Sequence, residues 1–132
     1  MDSALRGRVR DRAGSRCEYC HLREVDAPFV PFHLEPVIPR KHGGDDATSN
    51  LAFACFHCNL HKGPNLTGID DQTGEIVPLF HPRRQNWEDH FELCGAEMVG
   101  RTAVGRATVR VLAMNSVQRL ELRSELQQLN RR

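Results

Sequence analysis

Two cysteine pairs of the form C-x-x-C, Cys17/Cys20 and Cys55/Cys58, have the spacing in this chain that most plainly suits chemistry. A two-residue gap lets both sulfurs of a pair face one ion while the turn's amides stabilise their charge, and four thiolates make a tetrahedral set suited to structural zinc. Four sulfur ligands leave no position open for water, so such an ion ties two turns together and does not catalyse. Free thiols or two redox pairs are the competing readings. Cys94 stands alone and reads as an ordinary half-buried thiol. Between the pairs runs Phe32-His-Leu-Glu-Pro-Val-Ile-Pro-Arg-Lys-His-Gly-Gly44, followed by Ser49-Asn50-Leu51 and Ala54-Cys-Phe-His-Cys-Asn-Leu-His-Lys-Gly63. On a strand, His33 and Glu35 share one face and could reach the same ion.

The elements that must position these residues are short. Leu5, Val9 and Ala13 recur four apart, which predicts a helix from Ser3 to Ala13, capped by Asp2 or Ser3 and ended by Gly14. Pro28 and Pro31 make the next stretch a connector. Phe32 to Ile38 reads as a strand, Pro39 to Asn50 as a loop around Gly43-Gly44-Asp45-Asp46, and Leu51 to Ala54 as a second strand. Asn59 begins a helix that Gly63-Pro64 interrupts early, and Asp70 to Gly74 reads as a turn before a strand from Glu75 to Phe80. Beyond Pro82, Trp87, His90, Phe91 and Leu93 are expected to pack a tail onto the domain. Gly105 to Met114 and Ser116 to Leu129 read as two helices parted near Asn115, the second with an apolar stripe of Val117, Leu120, Leu126 and Leu129. The expected division is a zinc-framed domain over residues 1–80 and an extension over 81–132.

The chain has 132 residues, 39% of them hydrophobic, with six Phe, one Tyr and one Trp. A chain this lean often depends on a metal or disulfides for stability. Its net charge of +1 does not itself argue for nucleic acid, but Arg6, Arg8, Arg10, Arg12 and Arg16 crowd the start and Arg131 and Arg132 close the end. No apolar run approaches the ~20 residues of a membrane span. The start lacks a signal peptide's apolar stretch, which predicts a cytoplasmic chain whose paired cysteines hold metal rather than form disulfides.

From Arg10 to about Gly63 the sequence resembles the HNH, or ββα-metal, endonucleases, in the subgroup framed by two C-x-x-C knuckles. The resemblance implies an α+β fold: a small zinc-stabilised ββα core with an N-terminal helix and a C-terminal helical extension. It also implies hydrolysis of nucleic-acid phosphodiesters, DNA first, by one divalent ion (Mg2+ or Mn2+) acting as Lewis acid and a histidine acting as general base. Carried over residue by residue, Glu35 matches the acidic metal ligand, Asn59 the ligand on the helix, and Asn50 the loop asparagine that braces the site. His61 is a further candidate ligand, and Arg40, Lys41 and Lys62 flank the site as candidate phosphate contacts. The departure is Pro36, which stands where the family carries its general base. Proline can neither accept a proton nor donate a backbone hydrogen bond. His33 is then the candidate substitute base.

Two rival functions follow from the same residues. A zinc deaminase needs H-x-E and P-C-x-x-C. His33-Leu-Glu35 and Cys55 to Cys58 match that in outline, but Ala54 replaces the proline and Cys17 and Cys20 are left idle. The stronger rival is a noncatalytic four-cysteine zinc module that binds nucleic acid or a protein partner, and Pro36 favours it.

Overall fold

Helix α1 (Ser3–Arg12) buries only Val9 and stops at Gly14, whose φ of +66° no ordinary helix continues. The computed structural model describes residues 3–130, so Asp2 as a cap and the arginines at 131 and 132 lie outside the described residues. Two of the crowded arginines anchor α1: Arg6 donates to Phe32 O at 3.0 Å, and Arg12 to Thr48 O and Leu51 O at 2.9 and 2.7 Å. The first knuckle follows, closed by Cys17 N to Leu22 O at 2.8 Å and His21 N to Cys17 O at 2.9 Å.

Strand β1 (His33–Pro36) pairs antiparallel with β2 (Leu51–Ala54), with Glu35 opposite Ala52 and Pro36 opposite Leu51. Proline is tolerated here because β1 lies at a sheet edge and Pro36 ends it. Every residue of β2 is buried, as expected of a short, wholly apolar strand, and Phe53 packs on Phe32 with ring centroids 5.2 Å apart. Helix α2 (Phe56–Lys62) follows β2 directly and completes a strand–strand–helix unit. The loop between the strands is held tightly: a Cβ on Gly44 would lie 1.5 Å from Ile38 O, so only glycine fits.

The chain divides into two units. The first comprises the described residues through Pro64 together with His81–Gln85, and the second comprises Asn65–Phe80 with the described residues from Asn86 onward. Residues 65–80 thus group with the later part of the chain. In the second unit β3 (Thr67–Ile69) pairs with β4 (Ile76–Pro78), and α3 (Trp87–His90) leads into a hairpin of β5 (Phe91–Cys94) and β6 (Glu97–Gly100). Helices α4 (Ala103–Val111) and α5 (Val117–Asn130) end it. Thr102 caps α4 by accepting from Gly105 N at 3.0 Å. Phe80, Trp87, His90 and Phe91 form one aromatic cluster inside this unit, while Leu93 is exposed. The expected class is borne out: helices and small antiparallel sheets make an α+β fold around a four-cysteine cluster. No described helix is long and apolar enough to cross a membrane.

Candidate functional site

Cys17, Cys20, Cys55 and Cys58 are buried, and their sulfurs all lie within 4.8 Å of one another. Cys20 Sγ and Cys55 Sγ are 3.7 Å apart, far beyond a disulfide bond. A tetrahedron of zinc–sulfur bonds of about 2.3 Å has edges of roughly 3.8 Å, so this spacing fits one zinc ion. Each knuckle turns an amide onto its own first sulfur: Cys20 N to Cys17 Sγ at 3.5 Å and Cys58 N to Cys55 Sγ at 3.4 Å. Burial pushes the Cys17 thiol up, and the neighbouring cysteines do the same to Cys58, so a cation is what would let the cluster ionise fully. Among the described residues this is the one group of three or more His, Cys, Asp or Glu side chains placed to hold an ion. The residues fit a closed structural zinc site.

Cys55 also caps α2, which sets that helix's register. Cys58 and Lys62 lie four apart, on one face, and both are buried. Lys62 therefore points inward: its Nζ donates to Val37 O at 2.9 Å and lies 3.1 Å from Glu35 Oε1. The phosphate contact expected of Lys62 is corrected by this burial, since its ammonium has no access to a backbone outside. Glu35 is itself only 4% exposed. Burial pushes its carboxyl up to about 7, against the opposing charge of Lys62. Metal–oxygen bonds to Mg2+ are about 2.1 Å long. An ammonium 3.1 Å from Oε1 already offsets the carboxylate's charge, and such an ion would compete with it. Both Glu35 oxygens are buried and neither makes a hydrogen bond among the described residues, so Lys62 meets the carboxylate as a charge rather than as a bonded donor.

The remaining candidates are placed around this pair. Asn50 is buried and fully committed to the main chain: its Oδ1 accepts from Ile38 N at 2.9 Å, and its Nδ2 donates to Ile38 O at 2.9 Å and Asp45 O at 2.7 Å. These bonds brace the loop. Asn59 lies half-buried on α2, three residues before Lys62. His33 shares the β1 face of Glu35, and its buried Nε2 makes no hydrogen bond among the described residues. His61 is exposed, with its ring 4.3 Å from that of His57. Arg40 is exposed and ion-paired with Asp46, and Lys41 is exposed beside it. Pro36 presents no group able to carry a proton.

Two participants escape the sequence reading. Tyr19, inside the first knuckle, is fully buried against Glu35. Arg83, remote in sequence, forms an ion pair with Glu18, whose Oε1 accepts from Phe53 N at 2.9 Å. The inward course of Lys62 carries a signal in the sequence, four residues after a zinc ligand. The partnership of Arg83 and Glu18 carries none.

Residues 17–65 match the model of the HNH endonuclease family. Comparison with curated proteins and with solved structures gives no match. The matched segment opens at the first cysteine of the cluster and closes just after α2, so it covers the strand–strand–helix unit and all four sulfurs. The chain accordingly carries an HNH domain, of the kind built on two cysteine knuckles.

Proposed function

We propose that this HNH domain is a zinc-built module that holds a nucleic-acid backbone, DNA first, and has lost hydrolysis. The observation that carries this reading is the buried Glu35–Lys62 pair beside Pro36. HNH hydrolysis needs a Lewis-acid cation on the acidic residue and a base beside it. Here an ammonium offsets the carboxylate's charge and proline stands in the base's position. Losing a general base alone typically costs ~10²–10⁴-fold in rate. What remains is the scaffold, the braced loop and the exposed cations Arg40 and Lys41.

A second reading keeps the enzyme, with Mg2+ or Mn2+ on Glu35 and Asn59, His61 as a further ligand, and His33 as base. The unbonded Nε2 of His33, on the same strand face as Glu35, favours it. Plasmid nicking separates the two. Zinc-loaded protein is compared with Glu35→Ala and Pro36→His, with Mg2+, with Mn2+ and without added metal, alongside DNA binding by the same samples. The expected result is binding without metal-dependent nicking by the unaltered chain. Nicking that needs added metal and disappears in Glu35→Ala would reject the loss of hydrolysis and point to His33. Absence of DNA binding would reject the module reading itself.

A further inference from the structure

In the first unit, residues 81–85 return to the HNH core as a turn that is locked by its own side chains. His81 N donates to Gln85 Oε1 at 2.9 Å, Arg83 N to His81 Nδ1 at 3.1 Å, and Arg84 N and Gln85 N to His81 O at 3.1 and 3.0 Å. Pro82 fixes the backbone between His81 and Arg83. The turn thus presents two adjacent guanidiniums with little left to order. Both line a cavity of about 410 Å³, whose other wall is the braced loop through Ile38, His42, Gly44, Ser49 and Asn50. That is room for roughly a dozen waters.

The charges of this cavity are uneven. Asp45 lines it, with Oδ1 accepting from Ala47 N at 3.1 Å, and Glu18 offsets Arg83. Arg84 is exposed and, among the described residues, has no carboxylate within ion-pair distance. The Nε of Arg83 is buried and makes no hydrogen bond among the described residues. The exposed Ser49 and the His42 ring, whose Nε2 lies 3.1 Å from Pro64 O, complete the polar lining. Guanidiniums set in a fixed turn suit a phosphate group, which offers several acceptor oxygens and negative charge.

We infer that this cavity is a contact site for the phosphodiester backbone of nucleic acid, with Arg84 as its exposed cation. The inference rests on the nucleic-acid reading above and extends it beyond the family-matched segment, which ends at residue 65. It gives the return of residues 81–85 a purpose: they add to the exposed Arg40 and Lys41 of the HNH segment, where Lys62 is taken up by Glu35.

The test is fluorescence anisotropy of labelled duplex and single-stranded DNA, with the full zinc-loaded chain titrated between about 50 and 200 mM salt. Arg84→Ala is the clean variant because the side chain is exposed, and Arg110→Ala, exposed on α4, is the charge control. Arg84→Ala should shift the salt slope by about 0.9 for duplex or 0.7 for single strand, while Arg110→Ala leaves it unchanged. Binding by the unaltered chain that Arg84→Ala leaves untouched would remove the cavity from the interface while the nucleic-acid reading stands. An equal effect of Arg110→Ala would show diffuse attraction and overturn the assigned site. No binding by the unaltered chain would take down the reading and the site together.

Discussion

The first unit sets Glu35 against Lys62 and the second sets Asp70 against Arg106, and these two buried carboxylates are treated in opposite ways. Glu35 meets one ammonium at 3.1 Å, and burial pushes it up to about 7. Asp70 receives two bonds from Arg106 at 2.7 and 3.0 Å, one from Thr73 Oγ1 at 2.8 Å and one from Gln72 N at 3.3 Å. The Arg106 guanidinium and these added donors hold its carboxyl well below the usual carboxylate range. Depth does not separate the pairs, since Glu35 is 4% exposed and Asp70 0%. The donors aimed at the charged form do. An ammonium is a point charge on a flexible stem, whereas the guanidinium fork matches a carboxylate at two points.

The comparison breaks most completely if the metal is removed. A chelator strong enough to strip zinc, or Cys55→Ser, should unfold the first unit. The apparent binding energies of structural zinc in small peptides, about 10–16 kcal/mol, exceed what a core this small supplies. Amides of β5, β6 and α4 should stay protected in hydrogen exchange while those of β2 and α2 exchange freely. Protection lost everywhere at once would show that the second unit does not stand without the first.

A smaller effect is expected from each pair's cation. Lys62→Met keeps the stem and removes the charge that offsets Glu35. Breaking a buried pair typically costs about 3–5 kcal/mol. The lower end is expected here, because a carboxyl already raised can take a proton instead. Arg106→Met should cost the second unit less in proportion, since Thr73 and Gln72 still serve Asp70. Denaturant melts read by exchange in each unit give both values. A neutral or stabilising Lys62→Met would mean that the ion pair does not hold the first unit together.

The smallest effects sharpen the comparison through pH. A carboxyl raised in the folded state binds its proton more tightly there. Glu35 therefore contributes stability below its ordinary value of 4.5 and loses that contribution as pH rises towards about 7. Asp70 is shifted the other way, so its contribution is present above its ordinary value of 3.8 and is lost as pH falls below it. Glu35→Gln should accordingly remove a falling slope between about 4.5 and 7, and Asp70→Asn an acid-side loss below about 4. Stability is measured as the difference from the unaltered chain at equal zinc content, because thiolates also take up protons in acid. Parallel slopes for Glu35→Gln and the unaltered chain would show that Glu35 does not titrate in that window.

Much of this architecture is legible at short range. The knuckles, the apolar run of β2 and the four-residue recurrence in α1 are local patterns, and each lands where its spacing puts it. The two C-terminal helices part around Asn115, whose side chain bonds both the N–H and the C=O of Met98. The β5–β6 hairpin was legible too, in Gly95-Ala96 with a φ of +61° at Gly95 between two four-residue strands, but the aromatic residues drew the reading towards a tail. Lys62 reads as a surface cation until it is counted from Cys58. The return of residues 81–85 was not legible, because it depends on Arg83 meeting a carboxylate 65 positions earlier.

Helix α2 is seven residues long, well short of the ~12–15 at which isolated helices begin to persist in water. Its capping residue, Cys55, is a cluster cysteine, and so is Cys58 within its first turn. An ion bound there would fix dihedrals that make starting a helix costly, so metal uptake should favour nucleation of α2. Lys62, one turn further on, reaches Glu35 only once that turn exists. If the ion sets that turn, a chain made without metal would leave Glu35 open to solvent and to other cations.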